Sequence, residues 1–231
     1  MISQTRLLRE SSNKIPKLNP LDLYSIYDDF SNGDLLTGSV DGSLDIKGNT
    51  RTVRDVDSAI SIEDSILNLL TTNTAARRCN IKINKDLSSS SNVMINCVFK
   101  RTASSHFVFG FTDEEDPLEY YLPSDGLIIA IDDALYKRAA RSDTALGTDF
   151  SNDDEKVSWV FHFNTTTLSW YEKTTGIYSL IDSFAVSPSS PFYISLAVHS
   201  ASPNAIEVYS LSAVETAYQS IGQLETLFPL V

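Results

Sequence analysis

A two-residue alternation of apolar and polar side chains repeats along most of this chain, from about Tyr24 to Leu211. Residues 79 to 83 (Cys-Asn-Ile-Lys-Ile) show the alternation cleanly, and residues 157 to 163 form an apolar run with the length of one strand. Because successive side chains of a β-strand point to opposite faces, the pattern places one face of each strand on a core and the other toward water. Roughly a dozen such runs, separated by turn-forming residues, predict an all-β chain folded as a two-sheet antiparallel jelly-roll β-sandwich.

Four segments carry local signals of other kinds. Asp132 to Arg141 has acidic residues first and basic residues last, which favours a short helix, with an extended hairpin as the alternative. Ala213 to Phe228 has apolar residues at intervals of three and four, which predicts an amphipathic helix that Gly222 weakens. A turn is predicted at Asn164 to Thr167, and another at Pro123 to Gly126.

The polarity of the chain divides it into three parts. Residues 1 to 22 are polar and contain Pro16 and Pro20, so they are predicted to form an extended arm. Residues 23 to 212 are predicted to form the jelly-roll domain. Residues 213 to 231 form a short C-terminal amphipathic segment, either helical or extended.

The charge of the chain limits its partners. The sequence has 30 acidic and 18 basic residues, which gives a formal net charge of −12. A surface this negative repels phosphate backbones, so nucleic acid is not an expected partner. No signal peptide is evident after Met1 and no apolar run reaches the length of a membrane span, so we expect a soluble chain made in a cytoplasm, without membrane insertion.

The two cysteines, Cys79 and Cys97, both lie in apolar alternating runs. Two cysteines do not make a disulfide framework, and unpaired cysteine is among the most buried residue types. Buried free thiols are therefore predicted, and a cross-strand bridge between the two cysteines is left open.

Residues 28 to 39 (Asp-Asp-Phe-Ser-Asn-Gly-Asp-Leu-Leu-Thr-Gly-Ser), followed by Ser61 to Leu67, resemble the opening of concanavalin A-like lectin/glucanase (laminin-G-like) domains. The order of the later strands, including Phe107 to Phe111 and Trp159 to Phe163, is similar to the paired inner strands of that sandwich. The resemblance covers about residues 24 to 212. It implies the jelly-roll fold predicted from the alternation.

Domains of this type occur in phage tail fibres, baseplates and other virion proteins. The resemblance therefore implies a non-enzymatic structural or interaction protein of a virus (phage) particle: a tail, fibre or capsid-decoration component. We expect such a protein to reside in the virion after synthesis in the host cytoplasm. The arm and the C-terminal segment would contact other virion subunits, and a homo-oligomer is expected.

The alternative function is that of a carbohydrate-binding adhesin, a receptor-binding protein for host surface glycan. Aromatic planes suit the apolar faces of sugar rings, and the candidates for a stacking surface are Tyr120, Tyr121, Trp170 and Tyr171. Since neighbouring residues of a strand face opposite sides, only one of each adjacent pair can share a face, and at least half of the four are expected in the core.

One acidic stretch formally matches an enzyme motif. Residues 114 to 119 (Glu-Glu-Asp-Pro-Leu-Glu) fit the E-x-D-x-x-E pattern of laminarinase-type glycoside hydrolases, which implies Glu114 as nucleophile and Glu119 as acid/base. However, Pro117 would remove a hydrogen bond from a central strand, and Glu115 would occupy an apolar position. We therefore predict a turn at Thr112 to Pro117 and no catalysis.

The same acidic stretch offers oxygen ligands for a metal ion. The candidate ligands are Asp113, Glu114 and Asp116, and a hard cation such as Ca²⁺ prefers this type of ligand. A solvated loop is the alternative, and Asn152 to Glu155 has the same two interpretations. No cofactor is predicted, with Ca²⁺ left open as the one exception.

Overall fold

The computed structural model describes residues 20–36, 38–55, 60–71, 77–90, 92–101, 106–112, 124–130, 132–173, 178–186, 191–200 and 204–215. Apart from a 3₁₀ helix at Pro20–Leu23, the regular structure in these ranges is β-strand, so the all-β prediction is confirmed. The strands are β1 (Ile26–Asp28), β2 (Arg51–Asp55), β3 (Ile60–Glu63), β4 (Ile66–Thr71), β5 (Arg77–Ile83), β6 (Asn92–Arg101), β7 (His106–Thr112), β8 (Asp125–Ile129), β9 (Ala134–Ala139), β10 (Ser142–Asp149), β11 (Lys156–Asn164), β12 (Thr167–Lys173), β13 (Ser179–Ala185), β14 (Tyr193–Ser200) and β15 (Asn204–Glu215). Within those ranges no helix is long and apolar enough to cross a lipid bilayer.

The strands form two antiparallel sheets that face each other. The eight-stranded sheet has the order β13-β12-β11-β6-β15-β4-β3, and β1 pairs with the end of β15. The seven-stranded sheet has the order β10-β9-β8-β7-β14-β5-β2. Strands far apart in sequence are neighbours, with β6 between β11 and β15 and β14 between β7 and β5. This confirms the predicted jelly-roll sandwich.

The core lies between the sheets and consists of the apolar half of each alternating run. Phe109 of β7 stacks on Phe161 of β11 with ring centroids 4.5 Å apart. Phe99 of β6 contacts Phe107 of β7 at 4.8 Å. Each of these side chains is at most 1% exposed, and burying one of this size contributes about 1.5–3 kcal/mol. The alternation seen in the sequence is therefore the pattern that holds the two sheets together.

Both cysteines are free and buried, as predicted. Cys79 lies in β5 of one sheet and Cys97 in β6 of the other, and both belong to the central core. Complete burial raises the pKa of Cys97, because the charged thiolate would lose its hydration. Cys97 is thus a structural thiol without a reactive thiolate.

The helix predicted at Asp132 to Arg141 is wrong, and its hairpin alternative is confirmed. β9 occupies this region, and Ala140 and Arg141, with φ values of 47° and 65°, form the turn that leads into β10. β9 pairs with β8 along its length, and Leu135 packs into the core. Sheet pairing and core burial therefore outweigh the arrangement of charges that favoured a helix.

The structure tests only the start of the predicted C-terminal helix. A helix starting at Ala213 is wrong, because β15 continues to Glu215 and pairs there with β6. Residues 216 to 231 lie outside the described residues, as do residues 1 to 19 of the predicted arm. β15 thus carries the sandwich three residues past the predicted domain boundary at 212.

The predicted turns also differ in outcome. The β11–β12 hairpin turns at Thr165 and Thr166, as predicted from Asn164 to Thr167. The turn predicted at Pro123 to Gly126 is wrong at its second half, because Asp125 and Gly126 begin β8 and pair with β7. Sequence alone did not show that β8 starts at this point.

A buried arginine ties the ends of several elements together. Arg101, the last residue of β6, has no exposed side-chain surface. Its Nη1 donates to Asp133 Oδ1 at 2.7 Å and to Asp153 Oδ1 at 3.0 Å, and its Nη2 donates to the carbonyl of Ala130 at 3.0 Å. Arg101 therefore connects the eight-stranded sheet to the β8–β9 turn and to the segment before β11.

A candidate binding groove on the eight-stranded sheet

Most residues singled out in the sequence lie in one segment outside the described residues. Tyr120 and Tyr121, and the acidic residues Asp113, Glu114 and Asp116, belong to residues 113 to 123. β7 ends at Thr112 and β8 begins at Asp125, so this segment joins two neighbouring strands of the seven-stranded sheet. These five candidates stay predictions.

Trp170 is not on a binding surface. It is completely buried and packs edge-on against Trp159, with ring centroids 5.0 Å apart. Its role as a sugar-stacking residue is therefore corrected to a role in the core. Tyr171, the next residue of β12, faces the other way and packs beside Met94 and Val160 on the outer face of the sheet. The adjacent pair splits between two faces, as the alternation required.

The second acidic stretch is engaged in an ion pair. Asp153 accepts a hydrogen bond from the buried Arg101, so its charge is matched within the protein. Among the residues that the structure describes, no group of three His, Cys, Asp or Glu side chains is placed to hold a metal ion.

A groove of about 520 Å³ opens on the outer face of the eight-stranded sheet. Its floor comes from β6 and β15, and its sides come from the segment around β1, from the β3–β4 turn and from the start of β11. The side chains fall into aromatic, uncharged polar, charged and aliphatic groups. The lining residues are Tyr24, Tyr27, Asp29, Ser31, Asp64, Ser65, Ile66, Asn96, Val98, Lys156, Tyr209, Ser210 and Ser212.

The floor is low because small side chains face outward from two central strands. Ser210 and Ser212 of β15 lie opposite Val98 and Asn96 of β6. The pairing register shifts between Val208 and Ser210, so Tyr209 is the extra residue of a β-bulge. A bulge turns the inserted side chain out of the regular alternation, and here it brings a tyrosine to the edge of a polar floor.

Asn96 is held in a fixed orientation at the floor. Its Nδ2 donates to Ser158 Oγ at 2.5 Å and to the carbonyl of Trp159 at 3.1 Å. Ser158 is in turn hydrogen-bonded to the hydroxyl of Tyr178 at 2.9 Å. Both contacts of Asn96 use its donor group, which leaves Oδ1 as its acceptor for a bound molecule.

Two tyrosines form the aromatic side of the groove. The rings of Tyr24 and Tyr27 are tilted by 50° with centroids 5.2 Å apart, and both residues are partly exposed. Burial raises the pKa of both hydroxyls, and the charge of Asp29 adds to the increase for Tyr27. Both hydroxyls therefore stay protonated and can donate hydrogen bonds at neutral pH.

A buried ion pair fixes the strand that carries Tyr27. Asp28 accepts hydrogen bonds from Arg51 Nε and Nη2, each at 2.8 Å, and neither side chain is more than 1% exposed. Arg51 also donates to Ser43 Oγ at 2.7 Å. Burial raises the pKa of Asp28 to about 6, although the Arg51 guanidinium opposes the increase.

The pair joins the two sheets beside the groove. Asp28 ends β1 on the eight-stranded sheet, and Arg51 begins β2 on the seven-stranded sheet. Tyr27 and Asp29, which flank Asp28 in sequence, both line the groove. The buried pair therefore sets the position of two lining residues without touching the groove itself.

The charged groups lie at opposite sides of the groove. Asp29 Oδ1 accepts hydrogen bonds from Ser31 N at 3.1 Å and Ser31 Oγ at 2.6 Å. On the other side, Lys156 Nζ lies 3.8 Å from the ring centroid of Tyr209. The Tyr209 hydroxyl donates to Glu207 Oε2 at 2.5 Å, and burial together with this contact raises the pKa of Tyr209 to about 12.

None of the groove residues was a binding candidate at the level of sequence. Tyr24 and Tyr27 precede the stretch that carries the family resemblance, and Tyr209 interrupts a regular strand pattern. The groove depends on the pairing of β1 with β15, which no local pattern reveals. The only local signal in the sequence was the pair of tyrosines three residues apart, at the start of the alternating region.

No protein-family model and no curated protein matches the chain. Solved structures do match. The exoplasmic/lumenal domain of VIP36 in its Ca²⁺/Man-bound form aligns with a TM-score of 0.58 and 10% identity, covering 81% of this chain and 91% of that one. Its Ca²⁺/Man3GlcNAc-bound form gives 0.57 and 10%, covering 84% and 92%.

A second protein gives a similar result. The carbohydrate recognition domain of Emp46p in its potassium-bound form aligns with a TM-score of 0.52 and 13% identity, covering 73% of this chain and 89% of that one. At such low identity these likenesses establish the fold and nothing finer. They confirm the fold that the sequence resemblance implied.

Proposed function

We propose that this chain, whose fold is that of the concanavalin A-like lectins, is a non-enzymatic carbohydrate-binding protein that holds a sugar chain in the groove on its eight-stranded sheet. The observation that carries the proposal is the composition of that groove: tyrosine rings stand beside a floor of hydroxyl and amide groups. The structures of VIP36 with mannose-containing ligands and of the Emp46p carbohydrate recognition domain support it by analogy of fold.

The size and chemistry of the groove suit a sugar. Its volume of about 520 Å³ lies within the range of small-molecule sites, which is roughly 300–1,000 Å³. The apolar face of a sugar ring packs on an aromatic plane, and its hydroxyls need donors and acceptors at the ring edge. Tyr27 supplies a plane, while Asn96 Oδ1, Ser210 Oγ and Ser212 Oγ supply polar atoms at the floor.

Tyr27→Ala tests the proposal directly. We expect the variant to bind an oligosaccharide ligand at least about 10-fold more weakly, a loss of about 1.4 kcal/mol, because the aromatic plane is removed. The ligand is first identified by applying the labelled chain to an array of oligosaccharides, and its affinity is then measured by titration calorimetry. Thermal unfolding of the variant checks that the fold is retained.

Two further tyrosines make the test specific. Tyr136→Ala is the matched control, since Tyr136 is also half-buried but lies on the seven-stranded sheet. This variant should bind the oligosaccharide with the affinity of the unmodified chain. Tyr171→Ala tests the alternative that the sugar stacks on Tyr171, which the sequence suggested, and not on Tyr27. Loss of binding in Tyr171→Ala with normal binding in Tyr27→Ala would show that the groove is not the site.

Two other proposals rest on the sequence alone. The acidic residues Asp113, Glu114 and Asp116 remain our candidates for a Ca²⁺ site, because carboxylate oxygens are the ligands that this ion prefers. The comparisons give no support to a role in a virus particle, which remains a prediction from the sequence. Carbohydrate binding was the alternative at that stage and is now the better-supported function.

A further inference from the structure

We infer that the groove accepts uncharged sugar chains and rejects sugars that carry carboxylate, sulfate or phosphate groups. This inference deepens the proposed carbohydrate-binding function and rests on it. It comes from the charge around the groove, whose lining has two carboxylates and one ammonium group.

Asp29 is a hydrogen-bond acceptor with a fixed position at the aromatic side of the groove. Its Oδ1 is occupied by two hydrogen bonds from Ser31, which fixes the carboxylate and leaves Oδ2 to accept from a ligand. Its charge reaches the adjacent ring, since Asp29 contributes to the raised pKa of Tyr27. A sugar that stacks on Tyr27 therefore lies close to a full negative charge.

A second carboxylate lies at the β3–β4 turn. Asp64 lines the groove, is exposed, and sits at a φ of 52°. The backbone N–H of Asp64 donates to Asp34 Oδ1 at 3.0 Å, which brings another carboxylate to the same turn. The negative potential at this side therefore comes from three aspartates.

One cation, Lys156, lies on the opposite side of the groove, so the lining has two carboxylates for one ammonium group. Lys156 lies over the ring of Tyr209, whose hydroxyl donates to Glu207. The whole chain adds to this bias with its net charge of −12.

The consequence for a ligand follows from elementary electrostatics. Ionised carboxylates accept strong hydrogen bonds from sugar hydroxyls, so a neutral sugar gains from Asp29 and Asp64. An anionic substituent near them is repelled, and a repulsive element of this kind discriminates between otherwise similar ligands. The repulsion acts over roughly 10 Å at 0.1 M salt, which spans a groove of this size.

The experiment uses an array of matched oligosaccharide pairs, each a neutral chain and its sialylated, sulfated or uronate form. We expect the unmodified chain to bind the neutral member at least about 10-fold more tightly. In the double variant Asp29→Asn/Asp64→Asn the preference should fall below about threefold, because the charged members lose the repulsion and the neutral members lose their hydrogen bonds to the two carboxylates. The control, Asp132→Asn/Asp149→Asn, removes two exposed carboxylates near β9 and β10 and should keep the full preference.

Salt provides a second readout on the unmodified chain. Raising the salt from about 0.05 to 0.5 M should weaken the discrimination, because the repulsion is screened. Equal or tighter binding of the charged members, or the same change in the control variant, would overturn the inference while leaving carbohydrate binding intact. Failure to bind any member of the array overturns the proposed function itself.

Discussion

Arg51 and Asp28 form the least exposed ion pair described in the protein, and their geometry is bidentate. Two charges removed from water cost several kcal/mol of hydration, which only their mutual contact and further hydrogen bonds offset. Asp28 receives one more from the backbone of Phe30, and Arg51 gives one to Ser43. Loss of either partner therefore leaves a buried charge without compensation.

Arg51→Met is expected to lower the free energy of unfolding by about 3–5 kcal/mol, because Asp28 would stay buried without its cation. Urea unfolding followed by tryptophan fluorescence gives the value. Lys85→Met is the control, since Lys85 and Glu215 pair at 3.6 Å with side chains that are 38% and 22% exposed, and a pair of that kind contributes about 0–1 kcal/mol.

The double variant Asp28→Leu/Arg51→Met distinguishes pairing from packing. It should recover much of the stability lost in the single variant, since no charge is left unpaired. Equal losses in the single and double variants would mean that Arg51 acts through its bulk and not through Asp28.

Single residues were predictable where burial follows from the alternation, and unpredictable where it depends on a distant partner. The free, buried state of Cys79 and Cys97 followed from their apolar runs. Trp170 was a binding candidate because tryptophan suits sugar rings, but its strand position points it into the core. The neighbours of Tyr27 come from β15, far along the chain, so its place in a groove was not visible.

At the scale of elements, Arg101 shows how strand ends are joined. Its guanidinium contacts the β8–β9 turn through Asp133 and Ala130 and the segment before β11 through Asp153. The backbone adds to this junction, because the amide of Asp154 donates to the carbonyl of Arg101 at 2.8 Å.

Arg101→Met should lower the free energy of unfolding by about 1.5–3 kcal/mol, the value of hydrogen bonds to charged groups. The expected loss of unfolding free energy is smaller than for Arg51→Met, because Asp133 is 42% exposed and water can hydrate its carboxylate once the arginine is removed. Hydrogen exchange should show faster opening of the β8–β9 turn, with little change in β14. Uniform loss of protection across both sheets would contradict this local role.

Strands were recognisable from the sequence where one face is buried against the core. The runs that became β5, β7 and β11 were located closely. The error at Asp132 to Arg141 arose because β9 fully buries only Leu135, so its apolar alternation is weak and the charge pattern was the dominant local signal. The pairing of β9 with β8 and β10 decided the structure there, and pairing is not a local property.

At the scale of the whole molecule, the sandwich was predictable because its condition is simple: alternating strands must bury one face. The order of strands within the sheets was not, since it depends on which distant runs become neighbours. The groove was harder still to predict. It needs β1, the β3–β4 turn and a bulge in β15 at the same place, and each is unremarkable alone.

The pairing of β1 with β15 has a consequence for how the protein is made. Among the described strands β1 leaves the ribosome first and β15 last, so the two halves of the groove are separated by the synthesis of all the strands between them. Closing so long a loop is slow compared with local hairpin formation. A nascent chain can therefore pair strands of its seven-stranded sheet before β15 is available, and the groove closes only after β15 has paired with β1.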